Sequence, residues 1–208
     1  MAKFNSTTFG EISGRHGTAV AATTKDGKTY LRVYRPPSNP NTDKQIAQRS
    51  KFGFANKNLS CFRSLFKETF SSNKGMNIGV SYAMKKSIIG ESPDFIIDYS
   101  KLIFAVGGVN QGINTAITVE NLSANLSWDF VEAMNSKPTD LVNVIFFNED
   151  TQLSILLKET GFRSDKLVSC ELPEIWKGSS VHCWIYFTAK NGSTSTNSES
   201  QYVNLFEF

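Results

Sequence analysis

Few groups in this chain could carry acid, base, nucleophile or metal chemistry. There are two histidines, His16 and His182, and three cysteines, Cys61, Cys170 and Cys183. Any Ser-His-Asp or Cys-His pair would have to use one of those two imidazoles. His182 and Cys183 are neighbours in a stretch that reads as a strand, where successive side chains point to opposite faces and do not share a site. No C-x-x-C spacing occurs, and these scattered groups do not make a metal centre; buried thiols and a surface histidine are expected. Gly27-Lys28-Thr29 has the form of a phosphate-loop ending, but that loop needs a glycine five residues before Gly27, where Ala22 stands. Glu91, Asp94 and Asp98 lie close in sequence, yet Pro93 divides them, and turn or edge-strand roles are expected rather than general acid-base work. The inventory supplies no catalytic residue, no metal and no cofactor, so the chain is expected not to be an enzyme.

What remains is basic and aromatic. The net charge is only +3 over 208 residues. Residues 1–75, however, hold 13 basic and 4 acidic groups, a net +9, and residues 76–208 hold 9 basic and 15 acidic, a net −6. Such asymmetry fits a nucleic acid, an acidic surface, or neighbouring copies meeting head to tail. Arg15, Arg32, Arg35, Lys44, Arg49 and Lys51 form the basic set, and Tyr30 and Tyr34 share the strand face of Arg32 by parity. Phosphate contact needs several cations on one face, and base stacking needs aromatics among them, so nucleic acid is allowed. An acidic protein surface is favoured, because the two opposite charges of one chain match each other. Farther on, parity puts Trp184 and Tyr186, joined by Phe146, on an outer sheet face. There they mark a contact surface, unless the chain's own hairpin or helix covers them.

The elements that must position these groups follow from periodicity. Phe9 to Gly17 is Gly-spaced and reads as a loop. Val20–Thr24 and Lys28–Arg35 flank Lys25-Asp-Gly27 and read as a hairpin. Pro36 to Pro40 forces an extended linker. Thr42-Asp-Lys-Gln45 has the pattern of a capping box, and Phe52, Ala55, Leu59, Phe62, Phe66 and Phe70 form one apolar stripe of a helix reaching about residue 70. A second helix is expected over 78–87. From residue 94 the period becomes two, with strands expected at 95–99, 101–106, 113–119, 122–130, 141–147, 153–157, 167–172, 181–188 and 202–206. Within 122–128 the alternation is strict, which makes Trp128 a core residue.

Leu126-Ser-Trp128-Asp129, Asp140-Leu-Val-Asn-Val-Ile-Phe-Phe147 and the run Glu171-Leu-Pro173 to Gly192 resemble the second strand, the third strand, and the corner, sixth strand and hairpin of a fibronectin type III-like module. Val181 stands where that corner usually has Tyr. The whole chain resembles a family of uncharacterised proteins of about this length from bacteria and their mobile elements. The resemblance rests on Phe9-Gly-x-Ile-Ser-Gly-x-x-Gly17, Pro36-x-x-Asn-Pro-x-Thr-x-x-Gln45-x-x-Gln-Arg-x-Lys-Phe52 and Ser92-Pro-Asp-Phe-x-Ile-Asp-Tyr-Ser-Lys101. It implies no established activity. The segment Asn39-Pro-x-Thr-x-x-Gln-x-x-x-Arg49 is similar to segments in phage-encoded proteins, and implies particle assembly.

The expected fold is therefore α+β: a basic arm, hairpin and helical region over 1–110, then an Ig/fibronectin type III-like antiparallel β-sandwich over 111–208. The expected function is a non-enzymatic structural or assembly protein of a phage virion or similar multi-copy particle, docking through its basic arm on copies of itself or other particle proteins. The alternatives are a nucleic-acid-binding or packaging-associated protein and a carbohydrate-binding or adhesive sandwich. No run approaches a membrane span, and the polar start lacks a signal-peptide core, so the expected location is the cytoplasm at synthesis, followed by assembly into a virion.

Overall fold

A computed structural model describes residues 3–6, 10–23, 29–39, 41–120, 122–191 and 194–208. The protein mixes α and β structure, about 26% helix and 43% strand, with antiparallel sheets. It divides into two compact units, Met1–Thr42 and Asp43–Phe208, so the expected boundary near residue 110 falls inside the second unit.

The first unit is a four-stranded meander of β1 (Lys3–Ser6), β2 (Gly10–His16), β3 (Ala19–Thr23) and β4 (Thr29–Val33), paired in that order. The expected hairpin is β3 and β4, with Ala19 opposite Val33 and Ala22 opposite Tyr30. Its turn, Lys25–Gly27, lies outside the described residues, and so do Gly27-Lys28, Phe9, Pro40 and Gly192. The stretch up to Gly17, expected as a loop, is instead the strand β2, because β1 and β3 bond it on both sides. It closes onto β3 through Gly17 and Thr18, and Gly17 takes φ +57, a left-handed value that a two-residue hairpin asks of such a position.

The second unit begins with α1 (Asp43–Asn58), α2 (Arg63–Thr69) and α3 (Gly75–Lys86). The expected single helix to residue 70 is broken by a 3-10 turn at Ser60–Phe62. With the axis turned, Leu65 joins Leu59, Phe62 and Phe66 in the core, and the stripe fails at its start, where Phe52 is 53% exposed. Gly75 and Gly79 let α3 approach α2 closely: a Cβ at Gly75 would collide with the Phe66 carbonyl, and one at Gly79 would lie 2.7 Å from the Phe66 ring.

A short ladder of β5 (Ile88–Ile89) and β6 (Ile96–Ile97) leads into a buried but irregular stretch. Leu102 to Ala105 were expected in a strand; they run as irregular backbone, with Phe104 N–H donating to Ser200 Oγ (2.8 Å) and Ser200 N–H to the Ala105 carbonyl (2.9 Å). Then come β7 (Ile113–Glu120), β8 (Ser123–Asp129), β9 (Leu141–Asn148), β10 (Leu153–Phe162), β11 (Leu167–Glu171), β12 (Ser180–Asn191), β13 (Thr194–Asn197) and β14 (Gln201–Glu207). One sheet has the order β11-β8-β7. The other runs β10-β9-β12, with β13 and β14 both pairing β12. Of β7 to β14, only β13 had no counterpart in the expected strands.

The period of two sorts β9 and β12 into two cores. Val142, Val144 and Phe146, with Val181, Cys183, Ile185 and Phe187, meet Ala124, Leu126, Trp128 and Cys170 of the other sheet. Ile145, Phe147, Trp184 and Tyr186 face the other way and pack with Leu59, Phe62, Phe66 and Val80 of the helical layer. Trp128 is buried as expected, and its Nε1–H donates to the Arg163 carbonyl (2.9 Å). Among the described residues no helix is long and apolar enough to cross a membrane.

Candidate interaction site

In an antiparallel ladder, residues directly opposite each other share a face. Arg15 of β2 is opposite Val20 of β3, which is opposite Arg32 of β4, so these three form a row across the sheet. Tyr30 and Tyr34 share that face with Arg32 by parity. The Arg15 guanidinium lies 3.9 Å from the centre of the Tyr34 ring, and its Nε donates to the Gly17 carbonyl (3.1 Å). Around the row is an open cleft of about 880 Å³, lined by Arg15, Val20, Arg32, Tyr34, Arg35 and Pro37, with Val33 at its rim. The opposite face carries Ala19, Ala21, Leu31 and Val33. There Ala21 is buried, while Leu31 is 51% and Val33 73% exposed.

The other three expected cations belong to the second unit. Lys44 and Lys51 line an open groove of about 600 Å³ between α1 and the 90–95 turn, beside Asp43, Glu91, Ile46 and Phe95. Arg49 Nε donates back to the Gln45 carbonyl (3.3 Å). The structure therefore brings Arg15, Arg32 and Arg35 together and leaves Lys44, Arg49 and Lys51 on a different body.

That division also redistributes the charge. Met1–Thr42 holds six basic and two acidic residues, a net +4, whereas residues 43–75 hold seven and two, a net +5. The latter segment sits in the same unit as the acidic strands, to which it is tied by Lys158 Nζ–Glu68 Oε1 (2.6 Å). Lys86 Nζ–Glu199 Oε1 (3.2 Å) joins α3 to the stretch before β14 in the same unit. Of the apparent +9, then, +5 lies in the same unit as the −6.

The aromatic contact surface is corrected outright. Phe146, Trp184 and Tyr186 are all buried. Phe146 faces the core shared by the two sheets, opposite to Trp184 and Tyr186, which the helical layer covers. Their parity was right for Trp184 and Tyr186; the stripe of the helices is what needed such a face to bury against.

His182 was expected at the surface and is only 5% exposed. Its Nδ1 lies 3.1 Å from the Tyr202 hydroxyl and its Nε2 3.4 Å from Glu149 Oε2, with the Tyr99 ring centre 4.7 Å away. Burial pulls the imidazole below its ordinary value, against a partial upward pull from Glu149. Burial likewise pushes Tyr202 up to about 12. A carboxylate, an imidazole and a phenol in series can hold a proton; here they link β12 to the end of β9 and to β14. Parity with Trp184 was the available signal for this burial. A neutral folded imidazole stabilises the protein above its unfolded value of 6.5, and that contribution is lost as pH falls from there through the lower folded value. His182→Phe removes the titrating group and keeps a ring. Its melting temperature should fall less between about pH 7.5 and 5 than that of the natural chain; equal falls would assign the acid sensitivity to other groups.

The cysteines do not pair: Cys170 and Cys183 are buried and Cys61 half-buried, with burial raising Cys170 to about 11. Asp98 caps the 3-10 turn Tyr99–Lys101, accepting from Ser100 N–H (3.1 Å), and its ion pair with Lys101 Nζ (2.6 Å) holds its carboxyl below the usual range. Among the described residues no group of three His, Cys, Asp or Glu is placed to hold a metal ion.

Neither a curated protein nor a solved structure matches the chain. A family model does, over residues 11–203, a span that takes in both the arginine row of the first unit and the strands of the second. The chain accordingly belongs to DUF6266, a family of unknown function.

Proposed function

We propose that this protein is a non-enzymatic structural or assembly component of a multi-copy particle, of the virion class that its Asn39–Arg49 segment resembles, and that Met1–Thr42 is the part that docks on neighbouring copies. The observation that carries this reading is the apolar face of β4. On the face where Ala21 is buried, Leu31 and Val33 stand exposed. A sheet with an apolar face needs a second layer. Among the described strands β4 ends the hydrogen-bonded order β1-β2-β3-β4, and a strand edge with no ladder partner is a template for another strand. Antiparallel pairing of β4 with its copy about a two-fold axis is self-complementary and sets both copies of Leu31 and Val33 on one face.

The second unit is the body that such an arm would link. Strand order supports a fibronectin type III-like reading of it: β11-β8-β7 form one sheet and β10-β9-β12 the other, with β13 and β14 both pairing β12, and Trp128 lies on the second strand of the set. The covering helices are an addition to it. Size-exclusion chromatography with light scattering tests the reading. The intact chain should self-associate, and the double substitution Leu31→Glu/Val33→Glu should leave a folded monomer. An intact chain that stays monomeric at high concentration and joins no particle defeats the reading.

A further inference from the structure

We propose that the Arg15, Arg32, Tyr30 and Tyr34 face of the N-terminal sheet is a platform for single-stranded nucleic acid. This goes beyond the assembly reading, which rests on the opposite face of the same sheet. Three observations converge on it. First, the register places two guanidinium-bearing residues on one row, separated by Val20, so their Cα atoms lie roughly 10 Å apart across three strands. Arg35 joins them at the rim of the same cleft. Second, Tyr30 shares the face and is 47% exposed, while Tyr34 already receives the Arg15 guanidinium on its ring. Third, among the described residues lining this cleft there is no carboxylate.

Cations that track phosphates, with ring faces beside them on one sheet face, are the two ingredients of single-strand binding: the phosphates supply attraction and the unpaired bases supply stacking. Arginine suits this better than lysine, because its planar fork meets phosphate in a bidentate way and itself stacks on rings. Duplex DNA hides its base faces, so it can use the charges and not the tyrosines. An acidic protein surface could likewise meet the charges, and competition by polyglutamate distinguishes it from a single strand.

The test uses the full chain and a fluorescent 20-residue oligothymidylate or oligouridylate, with a duplex of equal length alongside. The single strands should bind more tightly than the duplex. The log-log salt slope should be about −2, from about −0.7 for each of three phosphates. Arg32→Gln should make that slope shallower by about 0.7, and Arg32→Lys, which keeps the charge, should preserve it. Tyr30→Ala should weaken binding roughly 5- to 100-fold with the slope unchanged, because stacking is lost and no counterion is involved. Both positions are exposed, so the variants should keep the circular dichroism of the parent. Equal affinity for duplex, displacement by polyglutamate as effective as by unlabelled oligonucleotide, or an unaltered affinity in Tyr30→Ala would each overturn the proposal. So would loss of self-association in these variants with oligonucleotide affinity intact, which would give the face to a protein neighbour. Failure of the assembly reading is registered separately, at Leu31 and Val33.

Discussion

Arg163→Ala should cost the second unit about 3–5 kcal/mol, the range seen when one partner of a buried ion pair is removed. Against a typical total of about 5–15 kcal/mol, that is enough to leave the protein marginal or unfolded. Arg163 and Asp140 are 3% and 2% exposed, with Nε and Oδ2 3.1 Å apart. The two meet as charges and not as an aligned hydrogen bond, because the guanidinium is spent elsewhere: Nη1 donates to Ser136 Oγ (2.9 Å) and Nη2 to the Asn110 carbonyl (2.6 Å). Its Cζ lies 3.8 Å from the centre of the Phe187 ring. Truncation strands the Asp140 carboxylate in the interior with one remaining donor, the Lys137 N–H at 2.9 Å, and frees two acceptors. The double variant Arg163→Met/Asp140→Leu removes both charges and puts apolar groups in their place, so it should recover a large part of the loss. Urea midpoints at constant slope would measure both. A single variant as stable as the parent would show that the pair is solvated.

Phe62→Ala should cost a similar amount, about 3–5 kcal/mol, for a different reason. Phe62 is completely buried and its ring centre lies 4.5 Å from that of Phe147, 5.2 Å from Phe104 and 5.9 Å from Phe66. It stands where the helical layer meets β9, so its removal opens a cavity that rigid strands cannot collapse into. Phe52→Ala, on the same apolar stripe, should change stability by less than about 0.5 kcal/mol, because Phe52 already stands largely in water. The contrast separates residues that periodicity alone treats as equals. Far-ultraviolet and tryptophan signals should lose structure together in Phe62→Ala, since Trp184 and Tyr186 share that core. Separate transitions would mean that the strands fold without their helical cover.

The site divides in the same way between what was written in one dimension and what was not. Parity in Thr29–Val33 and its continuation to Tyr34 placed Tyr30, Arg32 and Tyr34 on one face. Arg15 reached that face only through the β2–β3 register, and β2 itself looked like a loop because its glycines mask a strand that needs neighbours on both sides. Lys44, Arg49 and Lys51 were grouped with those arginines by sequence proximity, and the tertiary structure assigns them to another body. Chain distance says nothing about which side of a domain boundary a charge will serve.

Alternation by itself determined most strands of the second unit, the burial of Trp128, and the two-faced character of β9 and β12, because the period of a strand is a covalent property of the backbone. Composition by itself determined the scarcity of groups for chemistry. Tertiary structure alone decided what covers each face. Trp184, Tyr186 and His182 point away from the sheet-to-sheet core whichever way the chain folds, but whether water, a partner or the chain's own helices meet them depends on contacts across more than a hundred residues. The break at Ser60–Phe62 and the irregular run Leu102–Ala105 have the same cause: once the helical layer is laid on the sheet, burying Leu65 and bonding to Ser200 outweigh the local preference for a straight helix and a regular strand.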